Sequence, residues 1–281
     1  MSYIIAIGAY LFLLMIYGLV IAHKKVKTAD DMVTGGHRIP FIILVGSLLA
    51  TWCGGGGITG NASIIYNGGP WVGAITFAAP PIGIILLYFI AGKVRKSNKV
   101  TVPEIMGARY GQSASIISAV CVMLAYVGVL ATQLKAAADI LVLLCSSSGV
   151  EISRGLALVI CTTIIVVITV GGGLVSVAYS DAISALIMIG GFFIAIPILI
   201  SVANAQGAVL PPEKTTLTGG MSGWELLGYF LPSLALMLGD QNMLQRFASA
   251  KNSDEAKKSN IGMFIGEILV IVNIIALVTQ A

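Results

Sequence analysis

Charge is the scarcest property of this chain. Asp, Glu, Lys and Arg make up only 10% of its 281 residues, against about 25% in an ordinary soluble domain. A sequence that is 57% hydrophobic, with a mean hydropathy of +0.98, carries more apolar surface than one soluble core could hide. The bilayer is therefore its natural solvent. Histidine is almost absent, and the two present, His23 and His37, sit in a loop and read as solvated side chains. With so few titratable groups there is no His-rich metal set, no pair of catalytic carboxylates and no nucleophile–base set, which excludes an enzyme. Cysteine is limited to Cys53, Cys121, Cys145 and Cys161, all within apolar stretches and without metal-like spacing. They read as free, small hydrophobic residues. The formal net charge of +4 is too small and too localised for a nucleic-acid face.

Apolar runs, by contrast, are plentiful. Eight of membrane-spanning length can be drawn, over residues 3–22, 41–66, 71–92, 114–145, 154–172, 180–204, 224–248 and 260–281. About 20 helical residues cross a ~30 Å hydrocarbon core. The first run has no basic start, and its lysines (Lys24, Lys25, Lys27) follow it. It is expected to be a retained helix rather than a cleaved signal peptide. Thirteen of the sixteen Lys and Arg fall in the loops after the first, third and seventh runs. The positive-inside rule then places those loops in the cytoplasm and the amino terminus outside.

Glycine is also abundant, at 33 residues, and its placement matters more than its number. The second run carries "TWCGGGG" (51–57) near its middle, and each interior glycine weakens a helix by roughly 1 kcal/mol relative to alanine. The seventh run, "YFLPSLALMLGDQNMLQRF" (229–247), breaks at Gly239-Asp240-Gln241-Asn242. Two interrupted membrane helices of opposite direction, five helices apart, are the mark of an inverted-repeat secondary transporter. Unwound backbone at the midplane is tolerated where it lines a cavity. The glycines are expected to let the chain leave the helix and approach a ligand, the alternative being tight helix packing.

Further stretches carry a family resemblance. "TVPEIMGARYG" (101–111), "GGGLVSVAYSDAISALIMIGG" (171–191) and "LMLGDQNMLQRFASAKNSDEAKKSN" (236–260) resemble segments of the sodium:solute symporter family. "TWCGGGG" and "GGLVSVAYSD" look most like its choline-transporter branch. The resemblance implies an all-α integral membrane protein, eight transmembrane helices of a leucine-transporter-like inverted-repeat fold. Residues 1–23 would be the extra front helix, 41–204 the first five-helix repeat and 224–281 the opening of the second. The chain is expected to be incomplete at its C-terminus, because three core helices of that fold are not in it. Since the third helix of the second repeat supplies hydroxyls to the family's sodium site, the chain by itself is expected not to accumulate solute.

By resemblance, sodium is the coupling ion and no organic cofactor is implied. The backbone carbonyls of Ala50 and Cys53 would supply the local half of the sodium site, as suits a hard, oxygen-seeking cation. Asp181, with Ser180 beside it, would lie on the sodium exit path; the other reading makes it a helix-start carboxylate complementing the dipole. Trp52 would offer an aromatic face to a quaternary ammonium. Gly54, Gly55 and Gly56 on the first break, and Asp240, Gln241 and Asn242 on the second, would complete the substrate site. Asp240 stands near where the choline branch uses an aromatic residue, which favours a cationic solute without fixing choline.

Lys135 and Asp139, four apart on one helix, read as an ion pair or as a clamp for a substrate carboxylate. Gln245-Arg246 reads as the cytoplasmic cap of the seventh helix. Glu267 is a lone membrane acid without an assigned partner. The function expected is sodium-coupled symport of a small polar or cationic organic solute across the plasma membrane by alternating access. The alternatives are an ion-conducting channel and an inactive fragment. Its partners would be solute, sodium and lipid, with no nucleic acid.

Overall fold

Hydropathy and turn chemistry together divide the chain into twelve α-helices, two short 3-10 turns and no sheet among the described residues, which are 2–206 and 211–280 of a computed structural model. In order they are α1 (Ser2–Lys25), α2 (Ala29–Thr34), α3 (Phe41–Trp52), α4 (Gly55–Gly68), α5 (Pro70–Thr76) and α6 (Ala79–Ser97). There follow α7 (Val102–Tyr110), α8 (Gln112–Ser147), α9 (Arg154–Gln206), α10 (Gly223–Gly239), α11 (Gln241–Ser249) and α12 (Ser253–Gln280). The first run, expected over 3–22, continues to Lys25, and the eighth, expected over 260–281, begins at Ser253.

Among the described residues, five helical stretches are long and apolar enough to cross a membrane, one of them α5 and α6 together (Pro70–Ser97). They become six if α3 and α4, bent by 55°, count as one span. Two of the expected runs meet directly, as two helical halves numbered together and separated by a kink at Gly173. Residues 154–172 and 180–204 are one element, α9, whose 53 residues would be about 80 Å long if straight. It is not straight: Gly173 has φ +55° and ψ −153°, and α9 folds back there. Tyr10 of α1 bonds Ser184 beyond the turn, while Phe12 of α1 shares a crevice with Ile160 and Ile165 before it. The turn between the halves is one glycine wide, so residues 174–179 already belong to the second helix. A side chain at Gly173 would meet the backbone of Met32 as well as an unfavourable φ. The third run, expected whole over 71–92, is split at Phe77-Ala78, because Pro80 and Pro81 are admitted only in the first turn of a new helix.

The loops gather at two ends, as alternating crossings require. At one end Ile39 pairs with Ala250 in a single parallel bridge, Arg95 Nε donates to Ala250 O at 2.6 Å, and Gln241 binds the backbone of Val100 and Val102. His37, read from sequence as solvated, instead holds Ala248 O at 2.6 Å through Nδ1 at this end. At the other end Lys214 reaches the Tyr66 ring, 4.4 Å from its centroid. Helix α3 runs through the middle, with α9 and α12 packed against it. Its Leu44 and Leu48 are fully buried with Leu87 of α6, Phe247 of α11 and Met263 of α12. In lipid such contacts hold by close packing rather than by exclusion of water.

Candidate functional site

The first break lies where the α-helical bonds run out. Cys53 N–H still bonds Leu49 O, but Cys53 turns to ψ 46° and Gly54 to ψ 161° before α4 begins at Gly55. The next backbone bond described is Ile58 N–H to Gly54 O, so the carbonyls of Ala50 and Cys53 accept none of those around the break. Free carbonyls of this kind are what a hard cation binds. No side chain of the loop caps α4. Instead Gln133 of α8 reaches across, its Oε1 accepting from Gly56 N–H at 2.8 Å.

That contact explains much of the glycine run. A Cβ at Gly54 would overlap the Gln133 amide, and one at Gly56 would lie 3.3 Å from Thr132 O. The close approach is to α8, and Gly55 and Gly56 belong to the first turn of α4 rather than to unwound chain. Of the four glycines, Gly54 alone stands in the break.

The second break is a single residue wide. Asp240 (φ −66°, ψ 114°) ends α10 and serves as the N-cap of α11, accepting from Met243 N–H at 3.0 Å. Its carboxylate, 9% exposed, also accepts from the Tyr126 hydroxyl of α8 at 2.9 Å. The same hydroxyl oxygen accepts from Asn242 N–H at 3.1 Å. Tyr126 and Gln133 are seven residues apart, two turns on one face of α8. One helix therefore grips both breaks.

Gln241 is turned away from this region and bonded at 2.7 Å and 3.1 Å to the chain before α7. Trp52 packs against the core that contains Met237 and Met243, on either side of the second break. It also lines a small pocket with Cys53, Asn61 and Glu267.

Three expectations need correction. Asp181 does not open a helix: the second half of α9 begins straight after Gly173, so Asp181 is two turns inside and caps nothing. Its carboxylate accepts from Ser47 Oγ at 2.8 Å and pairs with Arg246 Nη2 at 3.0 Å. Arg246 accordingly is not an interfacial cap but is 5% exposed, with Nε donating to Ser47 Oγ at 2.8 Å. Asp139 pairs with Arg154 at 2.8 Å rather than with Lys135, because the turn before α9 returns Arg154 to the end of α8. Ser180 faces α1 near Gly18, and its buried hydroxyl has no described partner.

Sequence reasoning missed Ser47, Tyr126 and Gln133. The signal available for each was a polar side chain on an otherwise apolar helix, which is expensive unless partnered.

The family model described as the sodium:solute symporter family matches residues 32–281. Among similar curated proteins, the high affinity choline transporter 1 of Homo sapiens is 25% identical over 276 residues, covering 90% of this chain and 46% of its own length. The sodium/sialic acid symporter NanT of Aliivibrio fischeri is 25% identical over 273 residues, covering 92% and 52%. The chain thus spans about half the length of the relatives it matches. A solved structure of a Na+-coupled sialic acid symporter, substrate-bound and outward-open, superposes with a TM-score of 0.80 at 17% identity. It covers all of this chain and 60% of that one.

Proposed function

The chain belongs to the sodium:solute symporter family, and from that premise we propose that it serves sodium-coupled symport of a small polar or cationic organic solute by alternating access. The observation that carries this is the pair of helix breaks, at Cys53-Gly54 and at Asp240. Both are held by one face of α8. Residues 41–204 would form the first repeat and 224–281 the start of the second, with 1–23 outside both.

In this reading sodium is cargo, and the Ala50 and Cys53 carbonyls supply part of its cage. Trp52, Gly54, Gly55 and Gly56 would face the solute from the first break, and Asp240, Gln241 and Asn242 from the second. A carboxylate opposite an aromatic ring suits an amine or quaternary ammonium and disfavours a free anion. Of these groups, Gln241 has least support, since both ends of its amide are already bonded. Asp181 would lie on the sodium exit path, where its pairing with Arg246 would have to open. The protein would reside in the plasma membrane with its amino terminus outside, as the clustering of the basic loops supports.

The test is equilibrium binding of labelled quaternary ammoniums, amines, amino acids, sugars and monocarboxylates to the purified chain in lipid nanodiscs. One solute class should bind at least about tenfold more tightly in sodium than in potassium, or 1.4 kcal/mol. Sodium-independent binding of every solute would contradict the proposal.

A further inference from the structure

Where α1 ends, four cations line one pocket that the proposed solute site does not use. Lys24, Lys25 and Lys27 come from the end of α1 and the turn after it, Arg38 from the turn between α2 and α3, and Tyr179 from the second half of α9. All four cations are exposed. The ion pairs described are Arg154–Asp139 and Arg246–Asp181, so none of the four is paired among the described residues. The one carboxylate in the pocket, Asp31, is already engaged. Its Oδ2 accepts from Lys27 N–H and from the N–H and hydroxyl of Thr28, each at 3.0 Å. Lys25 Nζ stands 4.9 Å from the centroid of the Tyr179 ring, which holds the cation without neutralising it. Membrane topology asks for positive charge in a loop, but not for cations from two separate turns around one cavity. Like charges so gathered repel, and an anion between them relieves the repulsion.

The pocket encloses about 280 Å³, many times the ~10–15 Å³ that holds one water. Apolar surface leads up to it. Leu13, Ile16 and Val20 are exposed on α1 and, at helical spacing, share a face with Lys24. From Leu13 to Lys24 that face runs about 16 Å, roughly one leaflet of a ~30 Å hydrocarbon core. Met32 and Val33 of α2 are exposed as well. A phosphate among the cations would therefore stand at the head of an apolar stripe of acyl-chain length, which a soluble anion would leave unused.

We propose that this pocket binds the phosphate headgroup of one anionic phospholipid, with an acyl chain laid along Leu13, Ile16 and Val20. The three lysines and Arg38 would share the phosphate oxygens, and the Tyr179 hydroxyl can add a neutral donor. The lipid would fasten α1 to the turn before α3 and to the second half of α9. The inference stands apart from the solute reading, and the failure of either leaves the other untouched.

The experiment is native mass spectrometry of the full chain titrated with phosphatidylglycerol or with phosphatidylcholine. The first phosphatidylglycerol should bind about tenfold or more tightly than phosphatidylcholine. Lys25→Gln with Arg38→Gln should remove most of that preference. Lys93→Gln with Lys96→Gln, at the exposed end of α6, should keep it. No preference in the unaltered chain, or equal losses in the two double variants, overturns the proposal. Glycerol phosphate, the same anion without acyl chains, should fail to displace phosphatidylglycerol at equal concentration. Displacement there would make the pocket a soluble-anion site and overturn the lipid assignment.

Should the first double variant fail to fold, Lys24→Gln and Arg38→Gln serve singly. Each should cost about threefold in phosphatidylglycerol affinity, and unchanged affinity in both overturns the proposal.

Discussion

Arg246 Nη2 lies 3.0 Å from Asp181 Oδ2, and Ser47 closes a triangle between them by accepting from Arg246 Nε and donating to Asp181, each at 2.8 Å. Three helices, α3, α9 and α11, meet in those four side-chain atoms. Removing one charge leaves the other buried, which costs about 3 kcal/mol or more. Arg246→Ala should therefore lower the thermal unfolding midpoint markedly. Asp181→Asn combined with Arg246→Ala should lower it less than the sum of the two single changes. Additive losses would show that the pair is not coupled.

The grip of α8 on the first break makes a sharper case. Gly54→Ala forces the Gln133 amide aside, and Gln133→Ala leaves Gly56 N–H without its acceptor. Each change should cost about 1–3 kcal/mol. Because Gln133 is what a Cβ at Gly54 would meet, the double variant should be less destabilised than the two singles added. A double-mutant cycle on denaturant midpoints reads the difference.

At the second break, Tyr126→Phe removes one donor to Asp240 and one acceptor for Asn242 N–H. A loss of about 1–3 kcal/mol in stability is expected. Asp240→Asn should act on solute choice: losing about 2 kcal/mol from a desolvated contact weakens binding of a cationic solute roughly thirtyfold. Wild-type affinity in Asp240→Asn would make the carboxylate purely structural.

Outside the membrane, α2 carries a pH-dependent cap. Asp31 accepts from the backbone N–H of Lys27 and from Thr28, backbone and hydroxyl, each at 3.0 Å. These donors hold its carboxyl below the usual value. A folded-state pKa below the unfolded one gives stability that is present above the ordinary carboxylate range and lost as pH falls through the folded value. A spin label at Met32 should thus be immobile at neutral pH and loosen in acid. In Asp31→Asn it should be mobile at both.

The sequence announced its breaks because glycine blocks and Gly-Asp-Gln-Asn disrupt an apolar period visibly. Both fell within the expected stretches, at Cys53-Gly54 and at Asp240. What spacing does not reveal is which distant side chain meets a freed backbone group. Tyr126 is 114 residues from Asp240, and Gln133 is 77 from Gly56. Lys135 looked like the partner of Asp139 because they are one turn apart, yet a chain reversal brings Arg154 closer. Ser180-Asp181 resembles a helix start, since both residue types cap well. The true restart is seven residues earlier, hidden because one glycine turns the chain without a polar loop.

The central claim is that sodium and solute bind with coupled free energies at the paired breaks. Linkage demands reciprocity: sodium must change the solute Kd by the same factor as the solute changes the sodium Kd. Measuring both ratios on one preparation in nanodiscs, with potassium as the reference ion, tests this directly. Two equal factors of about ten or more are expected. Factors of one, or two ratios that disagree, would contradict sodium-coupled binding at this site.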